Sequence, residues 1–249
     1  MTKSSGANTS VAQAVLVHLF TASGIIAALM SFMAIMDGAP GQALLWLCLT
    51  LVIDAADGPM ARHFRVTASL PQVDGAILDH VIDYTTYAVI PALFIARFDV
   101  LPDGWGLPAA AIIMVSSLYC FSNTAMKTND NFFSGFPAAW NLVVIYFYIF
   151  AIPPMIATAI IGVCVVLTFV PIKCIHPFRV KKLRAVTMAL TFVWSALILG
   201  ILTLKADNVS FDLQDAGGYY PVMAWTLVAV TLYFVVVSVL RTLHIKFKG

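Results

Sequence analysis

The sequence predicts an all-α protein, a polytopic transmembrane helix bundle of about eight spans, and three observations lead there. Of the 249 residues, 61% are hydrophobic and 10% charged, with a mean hydropathy of +0.94, well outside the composition of soluble domains. Eight apolar segments approach or reach the roughly 17–25 residues that a crossing helix needs. The basic residues gather on alternate connections between them.

Residues 1–10, M-T-K-S-S-G-A-N-T-S, are polar. The apolar run after them is too long for the h-region of a cleavable signal, so it reads as a retained first span, 12–36. Within it His18, Thr21 and Ser23 either face a site or serve as interface residues. The second and third spans, 42–65 and 72–98, carry acids. Pro59 sits inside the second and is expected to kink it. A fourth span covers 106–127. The fifth and sixth, 137–152 and 154–170, are short and meet at Pro153-Pro154, so one kinked helix or a re-entrant pair is the alternative there. The last two are 184–204 and 221–243. No repeat or linker interrupts the chain, and residues 1–249 read as a single domain.

Charge placement tests the count. With both termini in the cytoplasm and eight crossings, twelve basic residues lie inside and only Arg97 and Lys205 outside, a strong positive-inside bias. Lys127 and the basic loop from Lys173 to Arg184 must then share a side, so the fifth and sixth segments cross twice or not at all. That loop is suited to orienting the protein and touching anionic lipid headgroups. Asp207, Asp212 and Asp215 fall outside. Cys48, Cys120, Cys164 and Cys174 show no C-x-x-C spacing and read as apolar filler without disulfides. No nucleic-acid partner is expected.

The stretch from Asp54 to Asp83 is the exception to this apolar chain. The protein has 12 Asp and no Glu, and five of the twelve lie in these residues. Asp54, Asp57 and Ala61, with Gly58 and Arg62 one position on, fall within one broad helical face. Gly75, Asp79 and Asp83 follow at intervals of four and stack along a second helix. If the two helices lie side by side, four carboxylates converge. In a low dielectric such a group needs protons or cations. A hard divalent ion joining carboxylates to substrate phosphates fits best. Polar lining of a transport cavity, or a cap and ion-pair network at helix ends, is the competing interpretation. Asp74, at the start of the third span, is expected to stabilise a helix N-terminus.

The pattern D-x-x-D-G-x-x-A-R followed by G-x-x-x-D-x-x-x-D, present as Asp54, Asp57, Gly58, Ala61, Arg62, Gly75, Asp79 and Asp83, resembles the signature of the CDP-alcohol phosphotransferases. These are integral membrane enzymes that make phospholipid headgroup bonds. Twelve residues separate Arg62 from Gly75, where most members have eight or nine. The longer gap, the eight spans and the chain length look most like the bacterial members that join choline to CDP-diacylglycerol.

The resemblance implies that Gly58, Ala61 and Gly75 leave room for the cytidine nucleotide, with Arg62, Asp54 and Asp57 helping to hold it. Taken alone, Ala61 and Gly75 also suit close helix packing. Asp54, Asp57 and Asp79 would hold Mn2+ or Mg2+, as one ion or more, with Asp83 also available to ligate a second ion. The ion would neutralise charge as the bond to CMP breaks and fix an in-line geometry. The resemblance also makes Asp83 the base that takes the proton from the incoming hydroxyl. The partners it implies are CDP-diacylglycerol, choline and membrane lipids, with a homodimer left open.

Choline is a quaternary cation, for which aromatic faces are the natural recognition device. Tyr87 continues the Gly75, Asp79, Asp83 stripe by one turn and is the first candidate, followed by Tyr84, Tyr119, Trp140 and Tyr146. Each also suits an interface or packing role. The rivals are sister enzymes using serine, glycerol phosphate or inositol phosphate, a membrane prenyltransferase, and an ion-coupled transporter. A phosphorylated acceptor would want more bases than Arg62, the only Arg or Lys on the acidic helical faces. Transporters often show duplicated halves, whereas the acids here gather in one hairpin.

Overall fold

The computed structural model describes residues 11–123, 133–170, 173–174, 184–206 and 219–242. Ten α-helices order them: α1 (Val11–Met36), α2 (Pro40–His63), α3 (Val66–Ser69), α4 (Gly75–Tyr84), α5 (Ile90–Arg97), α6 (Gly106–Ser122), α7 (Trp140–Phe150), α8 (Pro154–Thr168), α9 (Arg184–Ala206) and α10 (Tyr219–Thr242). Two two-residue strands, β1 (Phe133–Ser134) and β2 (Lys173–Cys174), pair antiparallel. Most of the basic loop 173–184 and the acids Asp207, Asp212 and Asp215 lie outside the described residues.

Among the described residues, four helices are long and apolar enough to cross a membrane: α1, α2, and the stretches Ala185–Lys205 and Tyr220–Leu240 of α9 and α10. Shorter apolar helices, α6, α7 and α8, accompany them. Between α4 and α5 the chain runs on through a π turn, Thr85–Val89. Gly75–Arg97 is thus one helical rod of roughly 35 Å at 1.5 Å per residue. α2 likewise continues through Pro59 to His63.

The bundle is built with its small side chains inward. On α1 the buried residues are Ala14, Val17, Thr21, Gly24, Ala27, Ala28, Ser31, Ala34 and Ile35, while Leu16, Leu19, Ile26 and Leu29 are exposed. In lipid, large apolar side chains gain nothing by turning inward, and small ones allow helix backbones to approach. A Cβ on Gly24 would lie 3.1 Å from the Ile82 side chain, which shows how tightly α1 meets α4. Ser31 Oγ donates to the Ala43 carbonyl at 2.8 Å and ties α1 to α2. The main core lies further along the bundle, around Leu44, Leu47, Phe94, Ile113, Trp140, Val144 and Ile145.

α7 is short because of its flanks. Gly135 at φ +93° and Ala138 at φ +53° shape an irregular lead-in before Trp140, and Ala151 at φ +45° ends the helix ahead of Pro153-Pro154. A side chain on Gly135 would meet the Thr168 carbonyl at 2.7 Å, so the start of α7 sits against the end of α8. The β1–β2 pair continues that junction. The orphan carbonyls at the far end of α7 find distant donors. Lys205 Nζ reaches the Tyr148 and Ile149 carbonyls, and Tyr220 Oη donates to Ile149 at 2.8 Å. A helix end inside a low-dielectric bundle needs such partners.

Candidate active site

Two helices supply the acids. Asp54 and Asp57 lie one turn apart toward the end of α2, and Asp79 and Asp83 one turn apart on α4. The link between them is compact. α2 stops at Phe64, Arg65 takes a left-handed conformation at φ +45°, and α3 leads to Leu70-Pro71. Asp74 then caps α4, its Oδ1 accepting from the backbone N–H of Ala76 at 2.9 Å and of Ile77 at 3.3 Å, as expected from its position. A small apolar cluster of Ala14, Val17 and Val66, with Met60, Ala61, Phe64 and Leu70 against it, fastens this end of the hairpin to α1.

The result is convergence. One carboxylate oxygen each from Asp54, Asp57 and Asp79 lie within 4.8 Å of one another. Asp57 is buried and the other two half-buried. Asp83 is half-buried and in side-chain contact with Asp54. Thr21 of α1 is in side-chain hydrogen-bonding contact with Asp57. An all-oxygen set of this spacing suits a hard divalent cation such as Mn2+ or Mg2+, which takes carboxylate ligands and keeps sites for water or phosphate.

The two glycines of the motif each lie against a specific side chain. A Cβ on Gly58 would stand 3.3 Å from an Arg62 guanidinium nitrogen, so the glycine lets the arginine fold back along α2. Arg62 is otherwise exposed. A Cβ on Gly75 would stand 3.0 Å from His18 Cε1. The His18 imidazole therefore fills the space that the glycine leaves, and its Nε2 is buried with no hydrogen-bond partner. Ser23 bonds back to the Phe20 carbonyl at 2.6 Å.

Of the five aromatic candidates, the structure brings Tyr87 to the acids. Its hydroxyl donates to Asp54 Oδ2 at 2.7 Å. The others are engaged elsewhere. Tyr84 donates to the Met114 carbonyl at 3.3 Å and packs edge-on against Phe121. Tyr119 is exposed on α6 beside Phe169. Trp140 is fully buried, its indole N–H on Ser117 Oγ at 3.0 Å and its ring against Phe136. Tyr146 accepts from the Trp194 indole at 2.7 Å and pairs with Thr231. These four have partners on other elements: Met114 and Phe121, Phe169, Ser117 and Phe136, and Trp194 and Thr231. Sequence reasoning also passed over Pro91, whose place inside the helical rod Gly75–Arg97 was the available signal.

Comparison with known proteins agrees with this geometry. Residues 14–171 match the family model for CDP-alcohol phosphatidyltransferases. The chain is 48% identical over 178 residues to the phosphatidylcholine synthase of Pseudomonas aeruginosa, covering 72% of this chain and 75% of that one. It is 40% identical over 197 residues to the phosphatidylcholine synthase of Rhizobium johnstonii (79% and 81% covered) and 38% identical over 186 residues to that of Borreliella burgdorferi (75% and 80% covered). The region matched by the family model contains both acidic helices, and on that basis the chain belongs to the CDP-alcohol phosphatidyltransferase family.

Proposed function

We propose that the protein joins choline to CDP-diacylglycerol, giving phosphatidylcholine and CMP. The observation that carries the chemistry is the meeting of Asp54, Asp57 and Asp79 oxygens within 4.8 Å, with Asp83 beside them. The choice of choline is supported by the relatives, which are phosphatidylcholine synthases matched over most of their length.

Asp54, Asp57 and Asp79 would hold Mn2+ or Mg2+. Bound there, the ion supplies positive charge to the diphosphate and to the departing CMP. Arg62 binds phosphate from the exposed side of α2, and Gly58, Ala61 and Gly75 line the nucleotide space. Asp83 takes the proton of the choline hydroxyl. The choline oxygen forms a bond to the phosphorus that bears the diacylglycerol. The bond from that phosphorus to the CMP oxygen breaks, and CMP leaves. The ring of Tyr87, next to the acids, would offer a π surface to the quaternary ammonium.

The same reading puts the site toward the cytoplasm of a bacterial inner membrane, with eight crossings and both termini inside. Two contacts support that topology. The turn at Gly38 lies 3.8 Å from Arg97, measured from a Cβ built on the glycine, and Lys205 caps α7. These pair turns that eight alternating spans assign to the outer face.

The test is an assay of purified protein in detergent with CDP-diacylglycerol and Mn2+. Labelled choline, serine and glycerol phosphate are compared as acceptors. Choline-dependent CMP release with incorporation of label into lipid is expected. Release with another acceptor alone would transfer the protein to a sister activity, and no release with any would remove the synthase reading.

A further inference from the structure

The helical rod Gly75–Arg97 contains a proline that its hydrogen bonding must accommodate. Pro91 has no N–H to give to the Tyr87 carbonyl four residues back, and its ring crowds that carbonyl. The chain responds by widening: from Thr85 to Val89 it forms a π turn, closed by the Ile90 N–H on the Thr85 carbonyl. Such turns are rare, occur mostly as single insertions within α-helices, and are frequent at functional sites. An extra residue in one turn rotates the remainder of the rod relative to a straight helix.

Tyr87 is the middle residue of that turn, and its hydroxyl donates to Asp54 Oδ2 at 2.7 Å. The contact joins residues 33 apart in sequence and links the two helices at the acid cluster. Asp54 is one of the three residues whose oxygens meet within 4.8 Å. A hydrogen bond to one carboxylate oxygen fixes the plane of the group and directs the other oxygen. Bonds of this kind behind metal ligands typically contribute about 10–100-fold in metal affinity.

We propose that Tyr87 is a positioning residue for the cation site: its hydroxyl orients the Asp54 carboxylate, and the π turn imposed by Pro91 delivers the hydroxyl to that place. The inference rests on the reading of Asp54, Asp57 and Asp79 as a divalent-cation site and is independent of the acceptor. It assigns the hydroxyl and the ring of Tyr87 separate tasks. The ring faces choline and the hydroxyl holds Asp54.

The test is Mn2+ binding to the purified full chain in detergent, without lipid or choline, followed by the electron paramagnetic resonance signal of free Mn2+. Tyr87→Phe, Pro91→Ala and the double variant are compared with wild type. Tyr87→Phe keeps the ring and the volume, and is expected to weaken Mn2+ binding by about 10–100-fold. Pro91→Ala should weaken Mn2+ binding too, and the double variant should be no worse than the weaker single one, since both changes break the same contact. Wild-type Mn2+ affinity in Tyr87→Phe would overturn the proposal, as would losses that multiply in the double variant. If Pro91→Ala does not fold, Tyr87→Phe alone decides. A wild type that binds no Mn2+ would instead sink the cation site itself.

Discussion

Asp83 differs from its three acidic neighbours in standing against Asp54 and outside the tight trio of oxygens. That placement matches a proton acceptor more than a primary ligand. Asp83→Asn should therefore retain binding of CDP and Mn2+ within a fewfold and lose turnover by about 10²–10⁴, the usual scale for a general base. Equilibrium binding and single-turnover rates measure the two separately. Full turnover in Asp83→Asn would take the base role away from this residue.

Gly75 and His18 make a second test at the same scale. Alanine at Gly75 would press on His18 at 3.0 Å, closer than ordinary van der Waals contact. Overpacking of this kind typically costs about 1–3 kcal/mol. Gly75→Ala should weaken CDP binding by about tenfold or more, and adding His18→Ala should restore part of it. If Gly75→Ala binds CDP normally, the imidazole moves aside without consequence.

Among the elements, α2 and the rod Gly75–Arg97 carry the chemistry, and most of their arrangement was legible in the sequence. Spacings of three and four put Asp54 and Asp57, then Asp79 and Asp83, on single faces because a helix repeats every 3.6 residues. Asp74 was legible as a cap because the groups it satisfies are its own near neighbours. Local periodicity could not show which helix a side chain turns toward. Trp140 and Tyr146 were therefore read as acceptor candidates, whereas they join Ser117, Thr231 and Trp194. Nor could it show the π turn, since Pro91 leaves the apolar pattern of the third span intact. The space beside Gly58 and Gly75 was foreseen as room for a ligand. In the structure the side chains of Arg62 and His18 border that space.

Lys205 illustrates the same limit. In the sequence it is one of two basic residues on the outer side. In the structure its ammonium caps α7, 57 residues away, and lies 4.6 Å from the Tyr148 ring centroid. Removing a donor from buried carbonyls costs about 1–3 kcal/mol. Lys205→Met should lower the melting temperature in detergent by about 2–12 °C, at the few degrees per kcal/mol usual for a chain of this size. Mn2+ affinity should be unchanged. An unaltered melting curve would mean that Tyr220 and its neighbours suffice to hold the end of α7.

Taken as a whole, the bundle combines an inverted surface with a cluster of acidic side chains where α2 meets α4. Leu16, Leu19, Ile26 and Leu29 of α1 face outward, as does Trp225 on α10, while alanine, glycine and serine mediate helix contact. The acids lie close to the α2–α4 link. Reporter fusions test the topology that accompanies this reading. Green fluorescent protein should fluoresce at either terminus and fail to do so when inserted between α9 and α10, and the reverse pattern would turn the site to the opposite face.

The central claim is that α2 and α4 together hold one divalent cation where a diphosphate can reach it. Crystals of the protein grown with Mn2+ and measured at the manganese absorption edge test it most directly. The account predicts an anomalous peak bounded by Asp54, Asp57 and Asp79, within about 2–2.5 Å of an oxygen from each. A peak elsewhere, or acids that diverge with no peak among them, would contradict it.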